Sequence, residues 1–162
     1  MTSGGYRIHL TVNGLDHDAV VRPNQTLADF IRHDIGLTGT HVACEHGVCG
    51  ACTLIVDGEP VRSCLMLAVQ AVEAEVTTIE GVSTEKALHP LQEAFRETHA
   101  FQCGFCAPGF VMSGIVFLKE NPTPTRGQIR HALSSTLCRC GDYLGIVEGL
   151  ERAAARMSDQ RS

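Results

Sequence analysis

The chain has 162 residues and a formal net charge of −5, which suits one large domain or two small ones. An acidic balance excludes the basic face that nucleic-acid phosphates require. No run of about 18 apolar residues marks a transmembrane helix, and Met1-Thr2-Ser3-Gly4-Gly5-Tyr6 lacks the basic-then-apolar layout of a secretion signal, so a cytoplasmic protein is expected. Aromatic residues make up 5% and Trp is absent, leaving Leu, Ile, Val, Ala and Cys to build the core.

Residues 6–22 read as a hairpin. Ile8, Leu10 and Val12 alternate with polar neighbours, Asn13-Gly14 is a type I′ turn signal, and Ala19-Val20-Val21 returns as a buried strand. Thr26 then caps a short helix carrying Leu27, Phe30, Ile31 and Ile35, which Gly36 stops. The Gly- and Cys-rich stretch 39–52 fits neither period. A second hairpin follows, Thr53 to Val56, a turn at Asp57-Gly58, and Val61 to Cys64, and Val76 to Ile79 reads as the last strand. This order predicts a small, mostly antiparallel sheet with one helix packed on it.

From about residue 81 the strand signals vanish. Leu88, Leu91, Phe95 and Thr98 mark an amphipathic helix, and Phe110, Val111, Ile115 and Leu118 mark a second that ends at Lys119-Glu-Asn-Pro122. Thr125 and Gln128 form a capping box for a third, with Ile129, Ala132, Leu133 and Leu137. Ile146, Val147, Leu150, Ala153 and Ala154 make a fourth, capped by Asp142, and Ser158 to Ser162 are expected to fray. Four helices on short links imply a bundle. The fold class is therefore α+β followed by all-α, divided at 5–80 and 81–158.

The eight cysteines fall into two sets, Cys44-x4-Cys49-x2-Cys52-x11-Cys64 and Cys103-x2-Cys106-x31-Cys138-x1-Cys140. In a reducing compartment, clustered thiols favour metal or redox chemistry over structural disulfides. The first spacing is that of a plant-type 2Fe–2S cluster. Gly47 and Gly50 would let the loop take positive φ, so that successive N–H groups point at cluster sulfurs, with Cys64 closing the site from the strand. Cys103 and Cys106 immediately precede a helix, whose N-terminal N–H groups and dipole stabilise thiolates. Cys138 and Cys140 lie at the end of the next.

Other readings compete. Two structural zinc sites would also use four cysteines each, but the x1 and x4/x2 spacings are poor zinc-ribbon patterns. His41 and His46 flank the first loop and could be Rieske-type ligands, although four Cys already fill that site. Arg139, between two thiolates, either tunes the cluster potential or binds the cofactor, or else faces solvent or an interface. Met66 and Phe105 read as packing residues.

The run Gly39-Thr40-His41, Cys44-Glu-His-Gly47-Val-Cys49-Gly-Ala-Cys52-Thr53, Gln102-Cys-Gly-Phe-Cys-Ala-Pro-Gly109 and Leu137-Cys-Arg-Cys140 resembles the small iron–sulfur subunit of the xanthine dehydrogenase family of molybdenum hydroxylases. The likeness covers residues 5 to 155. It implies a β-grasp ferredoxin domain followed by a four-helix bundle, each holding one 2Fe–2S cluster. It also implies partners: a large subunit with molybdopterin, in its cytosine dinucleotide form, and a medium subunit with FAD, joined as a heterotrimer whose further dimerisation stays open. By position, Gln102 and Cys140 would contact the pterin. The cluster of Cys103, Cys106, Cys138 and Cys140 would then be proximal to molybdopterin, and that of Cys44, Cys49, Cys52 and Cys64 distal, toward FAD. Two departures from the family pattern stand out: Ala43 in place of Gly before the first ligand, and Gly141-Asp142 before Tyr143.

The implied activity is electron transfer within an oxidoreductase, with no substrate site in this chain. The substrate oxidised by the complex would be a heterocycle, an aldehyde or an aromatic acyl-CoA. The alternative is a free-standing two-cluster ferredoxin shuttling between diffusing partners. Exposed apolar surface discriminates the two, because a docked subunit carries more of it than a monomer tolerates.

Overall fold

The computed structural model describes residues 4–84 and 87–159. Strand β1 (Tyr6–Val12) turns back into β2 (Leu15–Val21), with Asn13 and Gly14 at φ 52° and 79°. Both φ values are positive, as a type I′ turn requires. The helix after it is shorter than its periodicity suggests. Helix α1 (Leu27–Asp29) is a single turn, capped by the Thr26 hydroxyl accepting from Asp29 N–H at 3.0 Å, and it widens at once into a π turn over Phe30–Asp34. The wide turn closes where Ile35 N–H donates to the Phe30 carbonyl at 3.1 Å. It buries Phe30 and Ile31 on the sheet.

Strands β3 (Thr53–Val56) and β4 (Glu59–Arg62) form the second hairpin, and β5 (Glu75–Thr77) lies in the middle of the sheet. The order is β2-β1-β5-β3-β4, with β1 and β5 parallel and every other pair antiparallel. A mixed sheet grasping one short helix is the expected β-grasp.

Three strand details differ from the sequence reading. Val20 faces solvent while Val21 is buried, since successive strand side chains alternate faces. β4 stops at Arg62, because Leu65 and Met66 N–H both turn back to the Arg62 carbonyl, so Cys64 lies in a turn rather than on the strand. β5 ends at Thr77 because Asn13 captures Thr78: its Oδ1 accepts from Thr78 N–H at 2.8 Å, and its Nδ2 donates to the Thr78 hydroxyl at 2.9 Å. Ile79 then sits in a 3-10 turn.

The helical half comprises α2 (Pro90–Glu97), α3 (Ala107–Glu120), α4 (Arg126–Leu133) and α5 (Tyr143–Asp159). Leu88 lies outside α2, which starts at Pro90 with the His89 ring as its cap, Nδ1 accepting from Leu91 N–H at 3.1 Å. The Thr125–Gln128 capping box opens α4 as expected. Leu137, assigned by period to this helix, falls beyond its end and is exposed. Asp142 contributes its carbonyl to the first bond of α5, accepting from Ile146 N–H. Ser158 and Asp159 are helical rather than frayed, and the Ser158 hydroxyl meets the Pro122 and Ala154 carbonyls; residues 160–162 lie outside the described residues.

Two cores result. Leu10, Leu27, Phe30, Ile31, Leu54 and Val76 fill the space under the sheet. Leu91, Phe95, Phe110, Leu118, Ile146 and Leu150 fill the bundle. Each fully buried side chain of this size contributes roughly 1.5–3 kcal/mol relative to exposure. A small third cluster joins Ala28 of α1 to Cys52 and Cys64. Helix α3 lies against β3 and β4, which docks the bundle on the sheet beside the cysteine loop.

Candidate metal centres

The loop from 39 to 52 is wound by backbone conformation and tied down at its start. Arg32 Nη1 donates to the Thr38 and Thr40 carbonyls at 2.7 and 2.8 Å. Glu45, Gly47 and Gly50 take φ of 54°, 83° and 74°, so the chain curls and turns its N–H groups inward. Those of Cys49, His46 and Val48 point at the Cys44 sulfur; the Cys49 bond is 3.4 Å long. Together they hold the Cys44 thiol well below its ordinary range, at about 6. The Cys49 thiol also touches Cys44. Deeper in, Cys64 is pushed up to about 11, first by burial and then by its contact with Cys52, while the Gly47 N–H reaches its sulfur. The first set thus converges as two pairs, Cys44 with Cys49 and Cys52 with Cys64.

The second set repeats the pattern from different elements. Cys106 is the residue before α3, and Cys138 and Cys140 follow α4. Cys106 and Cys138 touch and are buried, which pushes Cys106 up to about 12. Burial and the neighbouring sulfur therefore outweigh the helix terminus expected to stabilise this thiolate. Cys103 is exposed and held low by the Phe105 N–H and by contact with Cys140. Cys140 is drawn down by the Cys103 N–H, but the Cys103 thiol, partial burial and the Cys103 and Cys138 charges leave it raised. Tyr143 braces this end: its hydroxyl accepts from Cys138 N–H at 2.8 Å, and its ring stands edge-on to Phe110.

All eight thiols are free of disulfides. A 2Fe–2S core takes two thiolates on each of two irons, whereas a structural zinc draws four onto one point. Two pairs per site fit the former. Among the described residues no cluster of His, Cys, Asp and Glu has the geometry of a single-ion site. A cavity of about 360 Å³ opens between the sets, lined by Cys49 of the first and by Cys103, Cys106 and Cys138 of the second. Three larger grooves, about 490, 520 and 450 Å³, carry no thiol.

The histidines do not act as a Rieske pair. His46 Nδ1 is engaged with the Cys44 carbonyl. His41 Nδ1 donates to the Phe105 carbonyl at 2.7 Å, and its ring stacks on Phe105 at 4.8 Å between centroids. Phe105 is therefore not a core residue; it is half-exposed and joins the two cysteine loops. Met66 packs at the edge of the sheet core. Gln102 is exposed beside Cys103, hence on the same side as Cys140, and Arg139 is exposed between its two thiols.

Sequence reasoning missed the seam between the halves. Leu137 N–H donates to the Cys49 carbonyl at 2.9 Å, and Arg62 Nη2 to the Ser135 carbonyl at 2.5 Å. The latter pair is separated by 73 residues, and no local pattern signals such contacts.

With this geometry in place, the comparisons with known proteins agree. Residues 10–78 match the 2Fe-2S iron-sulfur cluster binding domain, and residues 78–151 the [2Fe-2S] binding domain. The chain is 48% identical to the nicotine 6-hydroxylase small subunit of Paenarthrobacter nicotinovorans, over 94% of this chain and 92% of that one. It is 47% identical to caffeine dehydrogenase subunit gamma of Pseudomonas sp. (strain CBB1), covering 89% and 88%. A chain of the crystal structure of quinoline 2-oxidoreductase from Pseudomonas putida 86 superposes with a TM-score of 0.93 at 44% identity, covering 99% of both chains. No described helix is long and apolar enough to cross a membrane. Two family models end to end, whole-length relatives and two paired thiol sets together place this chain in the family of small iron–sulfur subunits of the molybdenum hydroxylases.

Proposed function

We propose that this chain is the electron-transfer subunit of a molybdenum hydroxylase heterotrimer, carrying one 2Fe–2S centre in each of two units, 5–80 and 81–158. Cys44, Cys49, Cys52 and Cys64 hold the first centre, and Cys103, Cys106, Cys138 and Cys140 the second. A bound 2Fe–2S core supplies a store for one electron at a time. The chain's own residues cage that core, aim N–H groups at its thiolates and bury its inner side.

The observation that carries this reading is the surface around the thiols. Beside the second set, Leu144 is 76% exposed and Leu137 52%, with Phe105 and Tyr143 near them. Beside the first, Val48 and Leu65 are exposed, Leu65 lying against Gly47. Apolar side chains gathered at both sites suit docking to permanent partners. They do not suit a freely diffusing shuttle.

The exposed Cys103 and Gln102, with the partly buried Cys140, face a large subunit bearing molybdopterin, Gln102 and Cys140 being the residues toward the pterin. The first centre faces a medium subunit bearing FAD. Electrons accordingly travel from molybdopterin through the second centre, then the first, to FAD, while substrate is oxidised in the large subunit. Relatives named for nicotine, caffeine and quinoline favour an N-heterocycle as that substrate. The test is isolation of the chain from its native cell by an affinity tag. The expected result is co-purification of two larger subunits with stoichiometric molybdenum and flavin. A chain that purifies as a monomer and alone reduces a soluble acceptor would overturn the reading in favour of the shuttle.

A further inference from the structure

Gly109 closes the run Cys106-Ala-Pro-Gly109 in the first turn of α3, where its φ is not positive and the local backbone offers no reason for glycine. Glycine is a weaker helix former than alanine. The reason lies across the seam. A Cβ at 109 would run into the Gly50 carbonyl oxygen and lie 3.1 Å from Ala51 Cα. That carbonyl is already fixed, accepting from Thr53 N–H at 3.3 Å and from the Thr53 hydroxyl at 2.7 Å. Nor can Gly50 retreat. On its other side a Cβ would meet the Ser135 carbonyl and the buried Thr136 hydroxyl, both at 2.7 Å. The Gly50–Ala51 backbone, between Cys49 and Cys52, is therefore slotted between α3, which follows Cys106, and the loop that precedes Cys138.

Three hydrogen bonds close this slot, and each is anchored in a cysteine loop. They are Leu137 N–H to the Cys49 carbonyl, Arg62 to the Ser135 carbonyl, and His41 to the Phe105 carbonyl. The contact is backbone against backbone, with no flexible side chain to give way. We infer that the Gly50–Gly109 contact is a spacer setting the separation of the two iron–sulfur centres, and that Gly109 is a positioning residue for transfer between them. This rests on the ligand sets proposed above. Magnetic interaction between two reduced centres falls with the cube of their separation, so small displacements are readable.

The experiment compares Gly109→Ala, Gly114→Ala and wild type in the complete complex, fully reduced with dithionite, by low-temperature EPR with iron analysis. Gly114 is the control: its Cβ would press on Leu91 inside the bundle, at 2.8 Å, away from the seam. Two 2Fe–2S spins per wild-type chain test the ligand sets by themselves; the splitting and relaxation enhancement between those spins test the spacer. The expected result is a measurably smaller inter-centre splitting in Gly109→Ala at wild-type iron content, with wild-type splitting in Gly114→Ala. An unchanged splitting in Gly109→Ala overturns the inference. So does an equal reduction in both variants, or a wild type showing two spins without interaction. If Gly109→Ala fails to load iron, Arg62→Leu decides. It removes one bond across the seam without adding volume, and an unchanged splitting there also overturns the spacer.

Discussion

Gly149→Ala probes a close contact between α5 and α2. Glycine in the middle of α5 is about 1 kcal/mol worse than alanine by intrinsic preference, so the substitution alone should stabilise. The new methyl, however, would run into the Phe95 ring and approach the Thr98 hydroxyl to 3.0 Å. Phe95 is 3% exposed and stands edge-on to Phe101 with 5.1 Å between centroids, so it has little room to yield. Overpacking of this kind costs about 1–3 kcal/mol. The clash outweighs that gain by up to about 2 kcal/mol, which for a chain of this size lowers the melting temperature by up to roughly 4–8 °C. Gly127→Ala in α4 is the counterpart, since its Cβ would meet only the Thr125 hydroxyl at 4.0 Å. There the propensity gain stands alone, and stability should rise by up to about 1 kcal/mol. Thermal unfolding by far-UV circular dichroism, at one scan rate and equal iron content, reads both. A Gly149→Ala chain melting at or above wild type would refute the packing argument.

Cys138→Ser should remove the second centre alone, taking iron from about four to about two per chain, while the EPR signal of the first centre stays. Thr125→Ala removes the cap on α4 and should cost about 1 kcal/mol, measured by the same melting experiment. The His89 ring is held below its ordinary pKa by burial and must be neutral to accept from Leu91 N–H. The unfolded chain therefore binds the proton more readily, and stability should fall as pH drops below about 6.5 toward the depressed folded value. His89→Asn keeps a capping acceptor without a titrating ring, and its melting temperature should vary less between neutral pH and that acidic window.

Local chemistry made much of this molecule legible in advance. Asn13-Gly14 and Asp57-Gly58 announce hairpins because few other residues adopt positive φ in succession, and the Thr125–Gln128 box marks a helix start. The thiol spacings are legible because a cluster constrains its loop locally. What stayed hidden depends on distant partners. The π turn after Asp29 follows from seating Phe30 and Ile31 on the sheet, which no helical period reveals. β5 is cut short by Asn13, 65 residues away. Leu137 kept the period of α4, yet the chain leaves the helix to give its N–H to Cys49. Phe105 read as a packing residue, but nothing local showed that it packs at the surface, on the His41 ring.

Spin quantification of the dithionite-reduced protein decides whether one chain carries two 2Fe–2S centres. The expected spectrum has two distinguishable 2Fe–2S signals that together integrate to about two spins per chain. A single signal integrating to one spin, or none in a chain that carries zinc, would contradict it.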